Sequence, residues 1–139
     1  MPLSTFSLFV QEVELSMNKI LLDTDVVINL LKKREESLTK LSTLGKSEFY
    51  ISPIVIAEVY AGARKNEIAQ IEELFSYFKS IEINDSIAIL AGEYANRYRK
   101  AFQGISLEDY MIAATAKYLG LQLWTYNQKH YPMRDIVLV

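Results

Sequence analysis

A chain of 139 residues is long enough for one domain with a buried core and too short for two ordinary domains. Half of its residues are hydrophobic, and the absence of cysteine excludes disulfides, thiolate metal sites and a cysteine nucleophile. The net charge of −2 argues against a uniformly basic nucleic-acid-binding face, but it leaves room for a carboxylate site that attracts phosphate through bound cations.

The opening segment, MPLSTFSLFVQEVELS, carries two glutamates and no lysine or arginine, so it does not have the pattern of a signal peptide. No part of the sequence approaches the roughly 20 apolar residues that span a bilayer. We therefore predict a cytoplasmic protein without a membrane partner. Residues 1–17 are expected to be a leader, with Met17 as a candidate true start, and residues 18–139 a single domain.

The first half of this domain alternates short apolar segments with helical periodicity. KILLD at 19–23 predicts a buried strand that runs directly into a helix at 24–33. EFYIS at 48–52 predicts a second strand. Ser52 and Pro53 then predict the cap and the first turn of the next helix, because serine is a good N-cap and proline costs nothing at the first helical position.

The second half continues the alternation. A helix is expected around 68–78, a third strand at 80–83 and a long helix over 87–102 that Gly104 closes. A short extended piece should follow it as a fourth strand.

Ser106 is predicted to cap a helix that runs to Tyr118 and ends at Gly120. LQLWTY predicts a further strand, and DIVLV is a candidate last strand. Such alternation is typical of an α/β fold in which helices cover both faces of a mostly parallel sheet.

Three acidic residues are predicted to meet at the carboxyl edge of the sheet, where open parallel sheets bind ligands. Asp23, Glu58 and Asp109 follow the first, second and fourth predicted strands. Converging carboxylates stay ionised together only around a cation, and all-oxygen ligands suit Mg²⁺ or Mn²⁺. Such a site can activate water and neutralise a leaving oxygen, so the pattern predicts phosphodiester hydrolysis.

Each of these acids also has a structural alternative. Asp23 can serve as a helix N-cap, and Ser106 with Asp109 has the spacing of a capping box. Glu58 interrupts an apolar run, where a carboxylate needs a partner, and Arg64 or another base can supply an ion pair. The shared position at one sheet edge favours a common site over three separate structural roles.

Four segments carry a family resemblance: ILLDTDVVINLL with Asp23, SPIVIAEVYAGARK with Glu58, LEDYMIAATAKYLG with Asp109, and LWTYNQKHYPM. In this order they resemble the PIN-domain nucleases, and specifically the VapC-like toxins of type II toxin-antitoxin systems. The resemblance implies a three-layer α/β/α fold and a metal-dependent endoribonuclease whose metal-binding and catalytic residues are Asp23, Glu58 and Asp109. It further implies an RNA substrate, a cognate antitoxin that lies along a groove beside the site, and a homodimer.

The sequence departs from the family pattern in two places. Asp25 stands where many members have asparagine, and Asn127 and His130 stand where many have a fourth acid. Fewer carboxylates favour one cation over two. We expect His130, the only histidine, to pack in its loop beside Tyr131 and Pro132 rather than to contact a phosphate.

Two other functions fit part of the sequence. A haloacid-dehalogenase-like phosphatase would use Asp23 as nucleophile and Asp25 as general acid. It would also need a later acidic pair, which the sequence does not offer convincingly. A catalytically inactive PIN-like binding module is the second alternative, and the three retained acids argue against it.

Overall fold

The computed structural model describes residues 4–5 and 18–139. The predicted leader at 1–17 and the candidate start at Met17 lie outside the described residues, apart from positions 4 and 5. None of the helices in the described part of the chain is both long enough and apolar enough to cross a membrane.

Strands and helices follow one another much as predicted from residue 19 onward. In order they are β1 (Lys19–Leu22), α1 (Thr24–Leu31), α2 (Glu35–Thr43), β2 (Glu48–Ile51), α3 (Pro53–Ala61), α4 (Ile68–Phe75), β3 (Lys79–Ser80), α5 (Asp85–Tyr98), α6 (Leu107–Leu119) and β4 (Gln122–Trp124). Short 3-10 turns at Lys65–Glu67 and Gln128–His130 complete the described elements.

The strands form a parallel sheet in the order β3-β2-β1-β4. The carboxyl ends of all four strands therefore point to one edge. The C-terminal segment extends the sheet beyond β4, because Leu138 forms a parallel bridge with Leu123 and the Val139 N–H donates to the Leu123 carbonyl at 2.9 Å. The candidate last strand at DIVLV is thus a single bridge rather than a full strand.

The central strand shows why helices must lie on both faces of the sheet. Ile20, Leu21 and Leu22 are all fully buried, although successive side chains of a strand point to opposite faces. Removing one such side chain, for example by Leu21→Ala, is expected to cost about 2–5 kcal/mol of stability. The result is the predicted α/β class, with a mostly parallel sheet in the middle layer.

Several local expectations were wrong. The third strand is Lys79–Ser80 instead of 80–83, and the helix expected over 87–102 ends at Tyr98, before Gly104. The chain forms a turn rather than a fourth strand between α5 and α6, and Gly104 takes a φ of +87° there. A left-handed conformation suits glycine and reverses the chain, so α5 and α6 pack directly as a helical hairpin. Helix α2 was not predicted, because its sequence EESLTKLST buries only Ser37 and lacks an apolar stripe.

Candidate active site

Asp23 lies at the end of β1 and begins helix α1. Its backbone N–H still donates to the Trp124 carbonyl at 3.0 Å, which continues the pairing with β4. Its Oδ1 accepts from the Thr24 N–H at 2.8 Å, so the side chain is the N-cap of α1. The capping alternative for Asp23 is therefore correct, and the same cap places the carboxylate at the predicted edge of the sheet.

The second oxygen of Asp23 is held by two hydroxyl groups. Thr125, directly after β4, donates to Oδ2 at 2.8 Å, and Tyr131 donates to the same oxygen at 2.9 Å. Burial and the nearby Asp23 carboxylate raise the pKa of Tyr131 far above its usual range, so the phenol stays protonated as a donor. Neither residue stands out in the sequence, since a threonine after a strand and a tyrosine in a loop are common structural positions.

Asp109 lies in the first turn of α6. The predicted capping box is present: the Asp109 N–H donates to Ser106 Oγ, and the Ser106 N–H donates to Asp109 Oδ2, both at 3.2 Å. The Tyr131 hydroxyl is 3.4 Å from Asp109 Oδ1. Tyr131 therefore lies between Asp23 and Asp109, and the α5–α6 hairpin, rather than a fourth strand, brings Asp109 to this edge.

His130 contacts both its own loop and the site. Its Nδ1 is 3.0 Å from Asp109 Oδ2 and 2.8 Å from the Asn127 side-chain nitrogen. A protonated Nδ1 donates to the carboxylate, whereas an unprotonated Nδ1 accepts from the amide. Of the two residues at the position of the family's fourth acid, His130 contacts the acidic cluster directly and Asn127 contacts it through His130.

Glu58 reaches the same region from the second turn of α3. Its Oε1 accepts from Thr24 Oγ1 at 3.2 Å, and the side chain is exposed rather than buried as the apolar run suggested. It forms no ion pair with Arg64 or with any other described residue. Partial burial, and after it the charges of Asp23 and Asp109, raise the pKa of Glu58.

Asp25 is a fourth carboxylate beside the three predicted ones. Its Oδ2 accepts from the Tyr126 N–H at 3.0 Å, while its Oδ1 is buried and has no hydrogen-bond partner. Burial, and secondarily the charge of Asp23, raise its pKa to about 6. An unpartnered buried oxygen is costly, so Asp25 adds to the strain of the acidic cluster.

The acidic cluster has the donor chemistry of a divalent-cation site. Across residues 18–139, the ion pairs are Lys79–Glu48 and His130–Asp109, so neither lysine nor arginine neutralises the cluster. The ligand atoms that it offers are carboxylate oxygens, which Mg²⁺ and Mn²⁺ prefer. In the arrangement described, however, no three Asp, Glu, His or Cys side chains converge as a ready-made metal site. The residue types fit a cation, whereas the convergent geometry is not preformed.

Comparisons with known proteins agree with this fold. The family model described as PIN domain matches residues 20–135. Ribonuclease VapC19 of Mycobacterium tuberculosis is 35% identical over 115 residues, which cover 81% of this chain and 92% of that protein. A chain of a toxin-antitoxin complex from Klebsiella pneumoniae is 29% identical, with a TM-score of 0.73 over 85% of this chain and 95% of its own length. VapBC2 from Rickettsia felis, bound to a DNA fragment from its promoter, shares the fold at 22% identity, with a TM-score of 0.78 over 87% of this chain and 97% of that one.

Proposed function

Because the chain belongs to the PIN domain family, we propose that it is a metal-dependent endoribonuclease, the toxin of a toxin-antitoxin pair. The catalytic and metal-binding carboxylates are Asp23, Glu58 and Asp109. The family match and the VapC relative confirm the family that the motifs predicted. Relatives named as ribonucleases support RNA cleavage and do not favour the phosphatase or the inactive module.

One observation supports the site most strongly. The Tyr131 hydroxyl contacts both Asp23 and Asp109, at 2.9 and 3.4 Å, and Glu58 joins them through Thr24. Carboxylates from three distant parts of the sequence thus gather at one sheet edge without a lysine or arginine partner. Such a concentration of negative charge is unfavourable unless a cation balances it.

The residues of the chain have distinct roles in this proposal. Asp23, Asp109 and Glu58 would hold the cation, and the cap of α1 and the capping box of α6 fix the first two of these residues. A bound Mg²⁺ or Mn²⁺ would supply water activation and neutralise charge on the leaving oxygen. Glu58 is the exposed acid at the mouth of the site, and without a cation its partial burial and the charges of Asp23 and Asp109 raise its pKa.

The surroundings of Asp23 disfavour the phosphatase alternative on physical grounds. A nucleophilic carboxylate needs an oxygen that can approach phosphorus, but Asp23 is only 7% exposed. Its two oxygens already accept hydrogen bonds from Thr24, Thr125 and Tyr131. Asp23 is therefore better placed to hold a cation than to attack a substrate.

The partners of the chain belong to the same proposal. A groove of about 270 Å³ runs from Glu58 along α1 and α4, and its walls include Ile28, Leu31, Val59 and Ile71. A groove lined by apolar side chains, by the charged Lys32 and Glu67 and by a catalytic acid suits a segment of a cognate antitoxin, which would cover the site. We further propose a cytoplasmic homodimer, with RNA as the substrate, built on residues 18–139 as a single domain after a leader.

RNA cleavage tests the proposed function directly. Purified protein is incubated with a mixed RNA pool in Mg²⁺, Mn²⁺ or EDTA, beside Asp23→Asn, Asp109→Asn and the control Asp85→Asn. Asp85 is an exposed acid in the first turn of α5 and has no described contact with the three site acids, so the control removes a comparable helix-start charge. Cleavage should require metal, survive in the control and fall at least about 100-fold in the two site variants. Intact RNA together with hydrolysis of a phosphate monoester would support the phosphatase instead.

A further inference from the structure

A cleft of about 430 Å³ lies beside the acidic cluster and plays no part in the proposed chemistry so far. We call it the arginine-aromatic cleft, and its walls are Arg97, Tyr98, Phe102, Pro132, Arg134 and Asp135. It combines two permanent cations with two aromatic rings. Those are the side chains with which proteins hold single-stranded nucleic acids, through phosphate contacts and base stacking.

Both walls of the cleft are continuous with the carboxylate site. One wall is the C-terminal end of α5 and the turn after it, which leads to Asp109 in the first turn of α6. The other wall follows Tyr131 directly: Tyr131 and Met133 are buried, while Pro132 is half-buried and Arg134 is exposed. A nucleic-acid strand in the cleft would thus be held by the segments that position the acids.

The cations of the cleft are free to bind an anion. Neither Arg97 nor Arg134 forms an ion pair or a hydrogen bond with a residue in the described part of the chain. Arg97 lies 6.0 Å from the Tyr98 ring centroid, a cation-π distance. The one carboxylate in the cleft, Asp135, accepts from the Tyr94 hydroxyl at 2.9 Å and forms an ion pair with neither arginine.

The aromatic rings are placed for stacking. Tyr98 and Phe102 have ring centroids 6.0 Å apart, and Phe102 is 41% exposed at the rim of the cleft. The contacting rings lie beside two arginines that have no ion-pair partner, and this combination suits a ligand with flat apolar faces and negative charge. A nucleotide has both.

We propose that the arginine-aromatic cleft is the strand-binding subsite of this enzyme, which holds single-stranded RNA next to the phosphate to be cleaved. Phe102 and Tyr98 stack on a base, and Arg97 and Arg134 contact backbone phosphates. The four are positioning residues rather than catalytic ones. The inference rests on the proposed function in that it takes RNA as the substrate.

Binding and cleavage are measured separately so that the two proposals can fail independently. The probe is a fluorescein-labelled single-stranded RNA of about 12 nucleotides, and its anisotropy is titrated with the full chain in EDTA, where no turnover occurs. The variants are Arg97→Gln/Arg134→Gln and Phe102→Leu. The control for the arginine pair is Lys46→Gln/Lys117→Gln, which removes the same charge at the opposite sheet edge, where the chain enters β2 and β4. The control for Phe102→Leu is Tyr118→Leu, at an exposed aromatic near the end of α6.

The expected result is a loss of RNA affinity confined to the cleft variants. The double arginine variant should weaken binding about 10-fold or more and lower the dependence of log Kd on log salt by about 1.4, the value for two lost phosphate contacts on a single strand. Phe102→Leu should weaken binding at least about fivefold. In cleavage assays both cleft variants should raise KM and leave kcat within about twofold, because the cleft binds the substrate and the transition state equally.

Three outcomes would overturn the inference or separate it from the proposed function. If the cleft variants bind RNA as tightly as their controls while the wild type cleaves RNA, the cleft is not the subsite and the ribonuclease proposal stands. If the double variant changes the size-exclusion elution volume where the control does not, the cleft is an interface between copies, which overturns the inference. If the wild type cleaves no RNA but binding depends on the cleft, the strand-binding site stands and the ribonuclease proposal fails.

Discussion

The Tyr131 hydroxyl donates to Asp23 Oδ2 at 2.9 Å, across 108 positions of the sequence. The same hydroxyl lies 3.4 Å from Asp109 Oδ1, so one protonated phenol separates two carboxylates that would otherwise repel each other directly. Thr125 adds a second donor to Asp23. These groups orient the acids, and their removal should change the chemistry of the site more than the stability of the fold.

Tyr131→Phe tests that role. The ring still fills the core, and Asp23 keeps its Thr125 and Thr24 donors, so unfolding should become easier by only about 1 kcal/mol. Cleavage should fall about 10- to 100-fold, the usual cost of losing a group that orients a metal ligand. Steady-state cleavage and thermal melts measure both effects.

The matched control is Tyr50→Phe, which also removes a tyrosine-to-carboxylate hydrogen bond, here 2.7 Å to Glu48 in β2. It should alter stability slightly and cleavage not at all. Equal activity of Tyr131→Phe and the wild type would contradict a positioning role for Tyr131.

Asp25 should make the metal-free protein less stable as the pH rises. The folded chain holds the Asp25 proton up to a pKa of about 6, whereas the unfolded chain releases it near 3.8. The contribution of Asp25 to the free energy of unfolding is therefore fully present below about pH 4 and is lost as the pH rises through 6. Because the side chain is partly exposed, screening limits the effect to the order of 1 kcal/mol.

Asp25→Asn should remove this loss. In EDTA its melting temperature should exceed that of the wild type at pH 7, and the difference should vanish below about pH 4. The Asn side-chain oxygen can still accept from the Tyr126 N–H, so the hydrogen bond is retained. Asp85→Asn, a change at an exposed acid, should show no such pH-dependent gain. A variant less stable than the wild type at pH 7 would indicate that the Asp25 charge is satisfied in a way the structure does not show.

Divalent cations should stabilise the folded chain, because only the folded state brings the carboxylates together. A cation at ten times its Kd should add about 1.4 kcal/mol, which corresponds to roughly 4 °C in melting temperature for a domain of this size. The shift should disappear in Asp23→Asn and persist in Glu93→Gln, an exposed acid of α5. Equal shifts in both variants would mean that the cation binds elsewhere.

Asn127→Asp should strengthen cation binding at the cost of stability without metal. Asn127 contacts His130, which in turn contacts Asp109, so a carboxylate here adds a negative charge to the acidic cluster. In EDTA the melting temperature should fall through like-charge repulsion. The Mn²⁺ concentration for half-maximal cleavage should also fall, whereas Asn96→Asp on the exposed face of α5 should change neither value. An unchanged Mn²⁺ requirement would place Asn127 outside the cation site.

The local sequence determined most of the strands and helices and the sheet edge at which Asp23 and Glu58 lie. Ser52, Ser106 and Gly120 cap helices as predicted, because capping depends on backbone groups within a few residues. Hydrophobic runs predicted the buried strands, because a strand covered on both faces needs consecutive apolar residues. Since parallel strands end at one edge, the positions of Asp23 and Glu58 followed from the pattern alone.

Only the tertiary structure decided how the acids are held. Tyr131 and Thr125 reach Asp23 across 108 and 102 positions, and no local pattern reports a contact at such separation. Glu58 is exposed because the apolar run around it does not face inward on every side. The arginine-aromatic cleft likewise joins two segments distant in sequence. Caps and strands depend on interactions between residues close in sequence, whereas the hydrogen-bond partners of Asp23 depend on how the helices and strands pack against one another.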